Sequence, residues 1–222
     1  MSHFKIIIIL ISLCFSNLTE AQTPQFTPVS SLEKYHNTVE RNKEMALVEI
    51  SSWIPDLKLD LRYATNNNFT GIRMYPVKTK NTFLRTPVAK ALADAAAELR
   101  NMNLGFKIWD AYRPFHVTVK FWKLIHDERY VANPAKGSGH NRGIAVDLTL
   151  YDLTTGEELN MPTGFDDFSE WAHHGAILPD SERMKNRELL RSIMEKHGFQ
   201  KFETEWWHYY WPGGEKFDVM DI

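Results

Sequence analysis

The sequence predicts an α+β fold: a single domain with a mainly antiparallel sheet flanked by helices. Three observations predict it. Three stretches repeat their apolar residues at helical spacing, and three shorter ones alternate or run apolar as strands do. The two kinds follow one another irregularly, without the strict strand-helix-strand order of a doubly wound sheet, and the chain has 222 residues, enough for one substantial core.

The first clear helix runs from Pro87 to Asn103. Thr86 suits its N-cap, Pro87 its first turn, and Val88, Leu92, Ala96 and Leu99 fall on one face, with Gly105 ending it. Phe106 to Trp109 reads as a buried strand, followed by the turn-like Asp110-Ala111-Tyr112-Arg113-Pro114. A second helix begins at Pro114, with Val117, Phe121, Leu124 and Ile125 inward. Ile144, Val146, Leu148 and Leu150 alternate with Ala145, Asp147 and Thr149, which predicts a half-buried strand with Asp147 off the apolar face. A helix over Ser181 to His197 turns Leu190, Ile193 and Met194 to the core and stops at Gly198. The aromatic run Trp206 to Trp211 reads as a strand, core and site wall rather than a carbohydrate platform.

The N-terminus differs from the rest. Lys5, the apolar run Ile6 to Phe15 and the small residue Ala21 have the layout of a secretory signal peptide over residues 1–21, which implies export to the periplasm or beyond. The run is about half the length that spans a bilayer, so no stable membrane span is expected. Lipidation at Cys14 is the alternative, but Leu13 before it is larger than such processing accepts. Residues 22–40, polar at first with two prolines, read as a flexible segment ahead of a domain at 41–222. Cys14 is the one cysteine of the chain, so the exported form has no disulfide, thiolate ligand or cysteine nucleophile. Any metal site must use His, Asp and Glu. Lys and Arg number 26 against 28 Asp and Glu, without a basic stripe, and no nucleic-acid partner is expected. Oligomeric state is not legible.

The chemistry concentrates in Ser138-Gly139-His140-Asn141-Arg142-Gly143-Ile144-Ala145-Val146-Asp147, with Glu205-Trp206-Trp207-His208 far downstream. A catalytic zinc takes three protein ligands and leaves a fourth position open, and two imidazoles with one carboxylate meet that count. Each residue also has an ordinary role: His140 in a loop, Asp147 as a cap, His208 as a partly buried ring, Arg113 in a surface ion pair. In a regular strand residues i and i+3 face opposite ways, so Glu205 and His208 can share a site only across a bulge or a strand start.

Ser138-x-His140-x-x-Gly143-x-Ala145-x-Asp147 followed by Glu205-x-x-His208 resembles the paired signature of the VanX-type zinc D-alanyl-D-alanine dipeptidases, relatives of zinc D,D-carboxypeptidases and of the hedgehog signalling domain. At roughly one in twenty per fixed residue, the first five positions alone would recur by chance in about one such chain in ten thousand. The likeness extends to Asp60-Leu61-Arg62-Tyr63-Ala64-Thr65, to Asn68-Phe69-Thr70-Gly71, to Trp109-Asp110-Ala111-Tyr112-Arg113-Pro114 and to Phe165-Asp166 with His173-His174. The resemblance implies one zinc per chain on the sheet, held by His140, Asp147 and His208, with Glu205 as the catalytic carboxylate and Arg113 steadying the oxyanion. It implies a small dipeptide as substrate, its ammonium held by Asp166 and Tyr63 and its carboxylate end near Ser138. Two rival readings share the signature: a zinc D,D-carboxypeptidase or peptidoglycan endopeptidase, and a hedgehog-like module that binds zinc without turnover. Glu205 and Arg113 together argue against the module, since a structural zinc needs neither. His173 and His174, being consecutive, read as support or packing rather than a second metal site.

Overall fold

The run expected as a half-buried strand is buried on both faces, because it lies at the centre of the sheet. The computed structural model describes residues 26–222. In chain order the elements are helix α1 (Leu32–Arg41), strands β1 (Leu47–Glu49), β2 (Lys58–Leu59) and β3 (Phe83–Arg85), and helix α2 (Thr86–Arg100). Strand β4 (Leu104–Asp110), helix α3 (Phe115–Leu124), the single turn α4 (Gly139–Arg142) and strand β5 (Ala145–Asp152) follow. Helix α5 (Ser181–Lys196) and the hairpin β6 (Gln200–Phe202) and β7 (Glu205–Tyr210) complete the fold. Strands β2-β4-β5-β7-β6 form one five-stranded sheet in that order. Only the β2–β4 pair is parallel, so the sheet is mixed and mainly antiparallel, as the patterning predicts.

One face of this sheet is the main core. Phe106 and Ile108 stand opposite Leu150 and Leu148, and cross-strand partners project to the same side. With Val146 they pack in one cluster with Val88, Leu92 and Leu99 of α2 and Leu190, Ile193 and Met194 of α5. The other face carries Asp147 and is covered by a second cluster in which Tyr63, Met74 and Tyr75 meet Val117 and Phe121 of α3.

Several expectations are corrected. Arg85, not Thr86, is the N-cap of α2; Pro87 does sit in its first turn, and the Thr86 hydroxyl donates to Lys43 and Ala46 carbonyls. Gly105 does not end that helix but lies inside β4. Asn103 takes the left-handed position after α2, with φ 59°, and Gly105 is needed because a Cβ there would sit 2.6 Å from the Tyr151 ring. Leu124, expected inward, is 48% exposed at the end of α3. Residues 32–40 of the stretch expected to be flexible belong to α1, capped by Ser31, and Tyr35 accepts a hydrogen bond from the Leu47 amide. Val29 bridges to Met220 and is buried. The leader expected over residues 1–21 lies outside the described residues. Among the described residues no helix is long and apolar enough to cross a membrane.

Candidate active site

Two distant segments meet because β5 and β7 pair antiparallel with Asp147 directly opposite His208. Facing residues of such a pair share a side of the sheet, so carboxylate and imidazole emerge together. The Asp147 Oδ1 to His208 Nδ1 distance is 2.8 Å. His140 arrives from α4, whose four residues are fixed at both ends. Ser138 caps it by accepting from the Asn141 amide, and Asn141 Oδ1 accepts from the Ser138 amide. Gly143, with φ 70°, turns the chain from α4 into β5; a Cβ there would strike the Leu47 side chain.

His140, Asp147 and His208 are the one group of three or more His, Cys, Asp or Glu among the described residues able to close on one ion. His140 Nε2 lies 3.3 Å from His208 Nδ1 and 3.4 Å from Asp147 Oδ2. Tetrahedral ligands about 2.0–2.1 Å from a zinc ion are themselves roughly 3.3 Å apart, so the donor set fits. His140 Nδ1 donates to the Ala111 carbonyl over 2.7 Å, which orients the ring and turns Nε2 toward the other two donors. Burial alone would push the Asp147 carboxyl up, but the adjoining His140 and His208 imidazoles hold it well below the usual carboxylate range.

Glu205 opens β7, and here the register breaks. Lys201 pairs with Tyr209, yet Phe202 pairs with Glu205, so Trp206 to His208 have no partners in β6. That break lets residues i and i+3 share a side: Glu205 Oε2 lies 3.8 Å from His208 Nδ1. Burial pushes the Glu205 carboxyl up to about 7, a value suited to taking and returning protons near neutral pH. Arg113 is buried beside Tyr63 and Phe121, its guanidinium 5.2 and 5.0 Å from their ring centres.

Asp166 and Tyr63 line the same cavity as these residues. The Tyr63 hydroxyl donates to Asp166 Oδ1 over 2.9 Å, while Oδ2 is buried with no hydrogen-bond partner among the described residues. Asp166 holds a left-handed backbone, φ 61°, in a loop anchored by Phe165 stacked on Trp109 and by the Trp206 indole donating to Thr163. Burial raises its carboxyl to about 7. Arg113, Ser138, His140, Asp147, Asp166, Tyr63, Glu205 and His208 all line one cavity of about 210 Å³, walled by Phe69, Phe121 and Trp207. That is below the roughly 300–1,000 Å³ of clefts for drug-sized ligands, and it suits a small substrate.

All eight residues singled out in the sequence therefore converge. His174 does not join them: it is buried against Tyr209, and burial lowers its imidazole to about 4. His116 pairs with Asp221 and His197 with Glu98, away from the cavity. Sequence reasoning assigned nothing to Asn141, whose buried amide donates to the Arg113 carbonyl and the Thr118 hydroxyl, tying α4 to the loop after β4. Nor did it assign Asp110 and Tyr75, which lie behind Arg113 and are hydrogen-bonded to each other. The one available signal was the i, i+3 spacing of Asp110 and Arg113.

Comparison with known proteins shows which family the chain belongs to. D-alanyl-D-alanine dipeptidase from Escherichia coli strain K12 is 35% identical over 176 residues, covering 78% of this chain and 89% of its own. The protein of that name from Enterococcus faecalis strain V583 is 33% identical over 184 residues, covering 75% and 91%. Among solved structures, the LdcB LD-carboxypeptidase overlaps 77% of this chain and 69% of its own at 19% identity, with a TM-score of 0.41. Residues 43–219 match the model of the Peptidase_M15 family, described as D-ala-D-ala dipeptidase, and the chain belongs to that family.

Proposed function

We propose that this protein hydrolyses the free dipeptide D-alanyl-D-alanine to two D-alanines, using one zinc ion at His140, Asp147 and His208, outside the cytoplasm in cell-wall turnover. The observation that carries the proposal is two carboxylates lining one small cavity with the metal-binding triad: Glu205 beside His208, and Asp166 with an oxygen that has no hydrogen-bond partner among the described residues. The relatives called D-alanyl-D-alanine dipeptidase support the choice of substrate. Zinc supplies Lewis-acid polarisation of the scissile carbonyl and makes the attacking water more acidic.

The chain's own residues do the rest. Asp166 and Tyr63 receive the substrate's ammonium, with Oδ2 of Asp166 gaining the partner it lacks and its carboxyl driven to the ionised form. Ser138, at the cavity wall, faces the carboxylate end. Glu205 takes a proton from the attacking water and delivers it to the leaving amide nitrogen as the C–N bond breaks, yielding a carboxylate and an amine. Arg113 stabilises the negative charge that builds on the carbonyl oxygen; removing one donor of this kind typically costs about 10²–10³ in kcat. Phe69, Phe121 and Trp207 exclude water from the exchange.

The test is turnover of D-Ala-D-Ala by protein carrying zinc, its loss in chelator and its return on adding zinc. No turnover by zinc-loaded protein overturns the reading. Export has its own test: mass spectrometry of protein from the native host should find an N-terminus near Gln22, and an intact Met1 on a cytoplasmic protein would contradict it.

A further inference from the structure

A β-bulge at the end of β4 decides where one buried carboxylate points. Phe106 and Ile108 pair with Leu150 and Leu148 in regular register, so by the period of two Asp110 belongs on their face, in the apolar core. Instead the register shifts between Ile108 and Asp110, and Asp110 stands opposite Asp147. The extra residue, Trp109, turns Asp110 from the core side of the sheet to the site side. Bulges next to active sites commonly re-aim a side chain in this way.

What the re-aimed carboxylate does there is specific. Asp110 is wholly buried, and its Oδ2 accepts from Arg113 Nε at 3.0 Å and Nη2 at 2.7 Å. Its other oxygen accepts from the Tyr75 hydroxyl, itself buried. Oδ2 is also 3.7 Å from His140 Nδ1, so the same carboxylate adjoins a metal-binding imidazole. Among the described residues no hydrogen bond engages Arg113 Nη1, although Arg113 lines the cavity. One edge of the guanidinium is thus held from behind and the other is left for substrate. A buried ion pair is in general no more stabilising than apolar packing of the same volume, so stability gives little reason for the pair or for the interrupted ladder.

We infer that Asp110, re-aimed by the bulge and braced by Tyr75, is a positioning residue that sets the Arg113 guanidinium at the angle from which it stabilises the reacting carbonyl oxygen. The inference rests on the role proposed for Arg113. A carboxylate acting through another residue has no effect once that residue is gone, which a double-mutant cycle detects.

The experiment compares Asp110→Asn, Arg113→Ala and the double variant as zinc-loaded full-length protein acting on D-Ala-D-Ala. Arg113→Ala should lose about 10²–10³ in kcat. Asp110→Asn should lose about 10–100-fold in kcat, since it forfeits charge-assisted bonds to Arg113, with KM within about threefold and zinc retained. The double variant should be no slower than Arg113→Ala, within about threefold. Losses that multiply overturn the inference, because Asp110 then acts independently of Arg113. Should Asp110→Asn not fold, Tyr75→Phe removes one brace and should lose about three- to tenfold in kcat, with the same non-additivity. The second readout needs no turnover: the Arg113 Nε–H resonance should be protected from exchange in the wild type and lose that protection in Asp110→Asn or Tyr75→Phe. Unchanged protection in both overturns the inference whatever the substrate; a wild type with no D-Ala-D-Ala turnover sinks the functional reading, and the resonance then decides this one alone.

Discussion

Replacing Asp166 by Asn should make the protein more stable and less active, and the stability gain should depend on pH in a calculable way. The carboxyl ionises near 3.8 in an unfolded chain and at about 7 in the fold, because burial disfavours its charge. That is a displacement of about 3 pH units at 1.36 kcal/mol each, or a ceiling near 4 kcal/mol. Asp166 keeps some contact with solvent and Asn retains an oxygen for the Tyr63 hydroxyl, so about 2 kcal/mol is the working figure. Below pH 4 the carboxyl is neutral in both states and the variant gains nothing. Between about 4 and 7 only the unfolded chain releases the proton, so wild-type stability falls with rising pH, and above 7 the whole loss is present. In a domain of this size 2 kcal/mol corresponds to roughly 4–8 °C in Tm. Thermal unfolding of both proteins in chelator, which keeps metal release out of the comparison, should give matching midpoints at pH 4 and the variant several degrees higher at pH 8. A gap of the same size at both values, or a less stable variant at pH 8, would refute the reasoning.

Three further outcomes follow from the site. His140→Ala and His208→Ala should each lose the zinc, since two remaining ligands cannot hold it tightly; full stoichiometric metal in both variants contradicts the assignment. Glu205→Ala should keep zinc and fold but lose on the order of 10²–10⁴ in turnover, and near-normal kinetics would remove it from proton transfer. Gly143→Ala should cost about 1–3 kcal/mol in denaturant titration, since it puts a Cβ on a left-handed backbone against Leu47; unaltered stability would show that the turn into β5 is not constrained.

How far the sequence could be read depended on whether the signal was local. The helical and strand patterns were local and correctly located α2, α3, α5, β4, β5 and β7, because apolar periodicity survives without tertiary context. The pairing of Asp147 with His208 was not legible from spacing, since the register of strands 61 residues apart is set by the fold. The bulge in β4 escaped notice for the same reason, whereas a bulge or strand start was expected between Glu205 and His208. The break in β7 reconciles Glu205 with His208 against strand periodicity, and the one in β4 turns a residue that reads as part of a turn into the anchor of Arg113. Gly105 misled because a glycine just after a helix resembles its stop signal, when the ring of Tyr151 was what required it. The eight residues that line one cavity were picked out through the resemblance to a family, which encodes the long-range proximity that periodicity lacks.

The most direct test of the account is a comparison of kcat/KM on D-Ala-D-Ala and on its N-acetyl derivative by the zinc-loaded protein. The unpartnered oxygen of Asp166 awaits a cation, which the free dipeptide brings and the blocked one does not. Pairing that carboxylate recovers the burial cost of about 2–4 kcal/mol, so the free dipeptide should be favoured about thirty- to a thousandfold. Asp166→Ala should narrow the gap. Equal or faster cleavage of the acetylated substrate would contradict the dipeptidase reading and identify a carboxypeptidase instead.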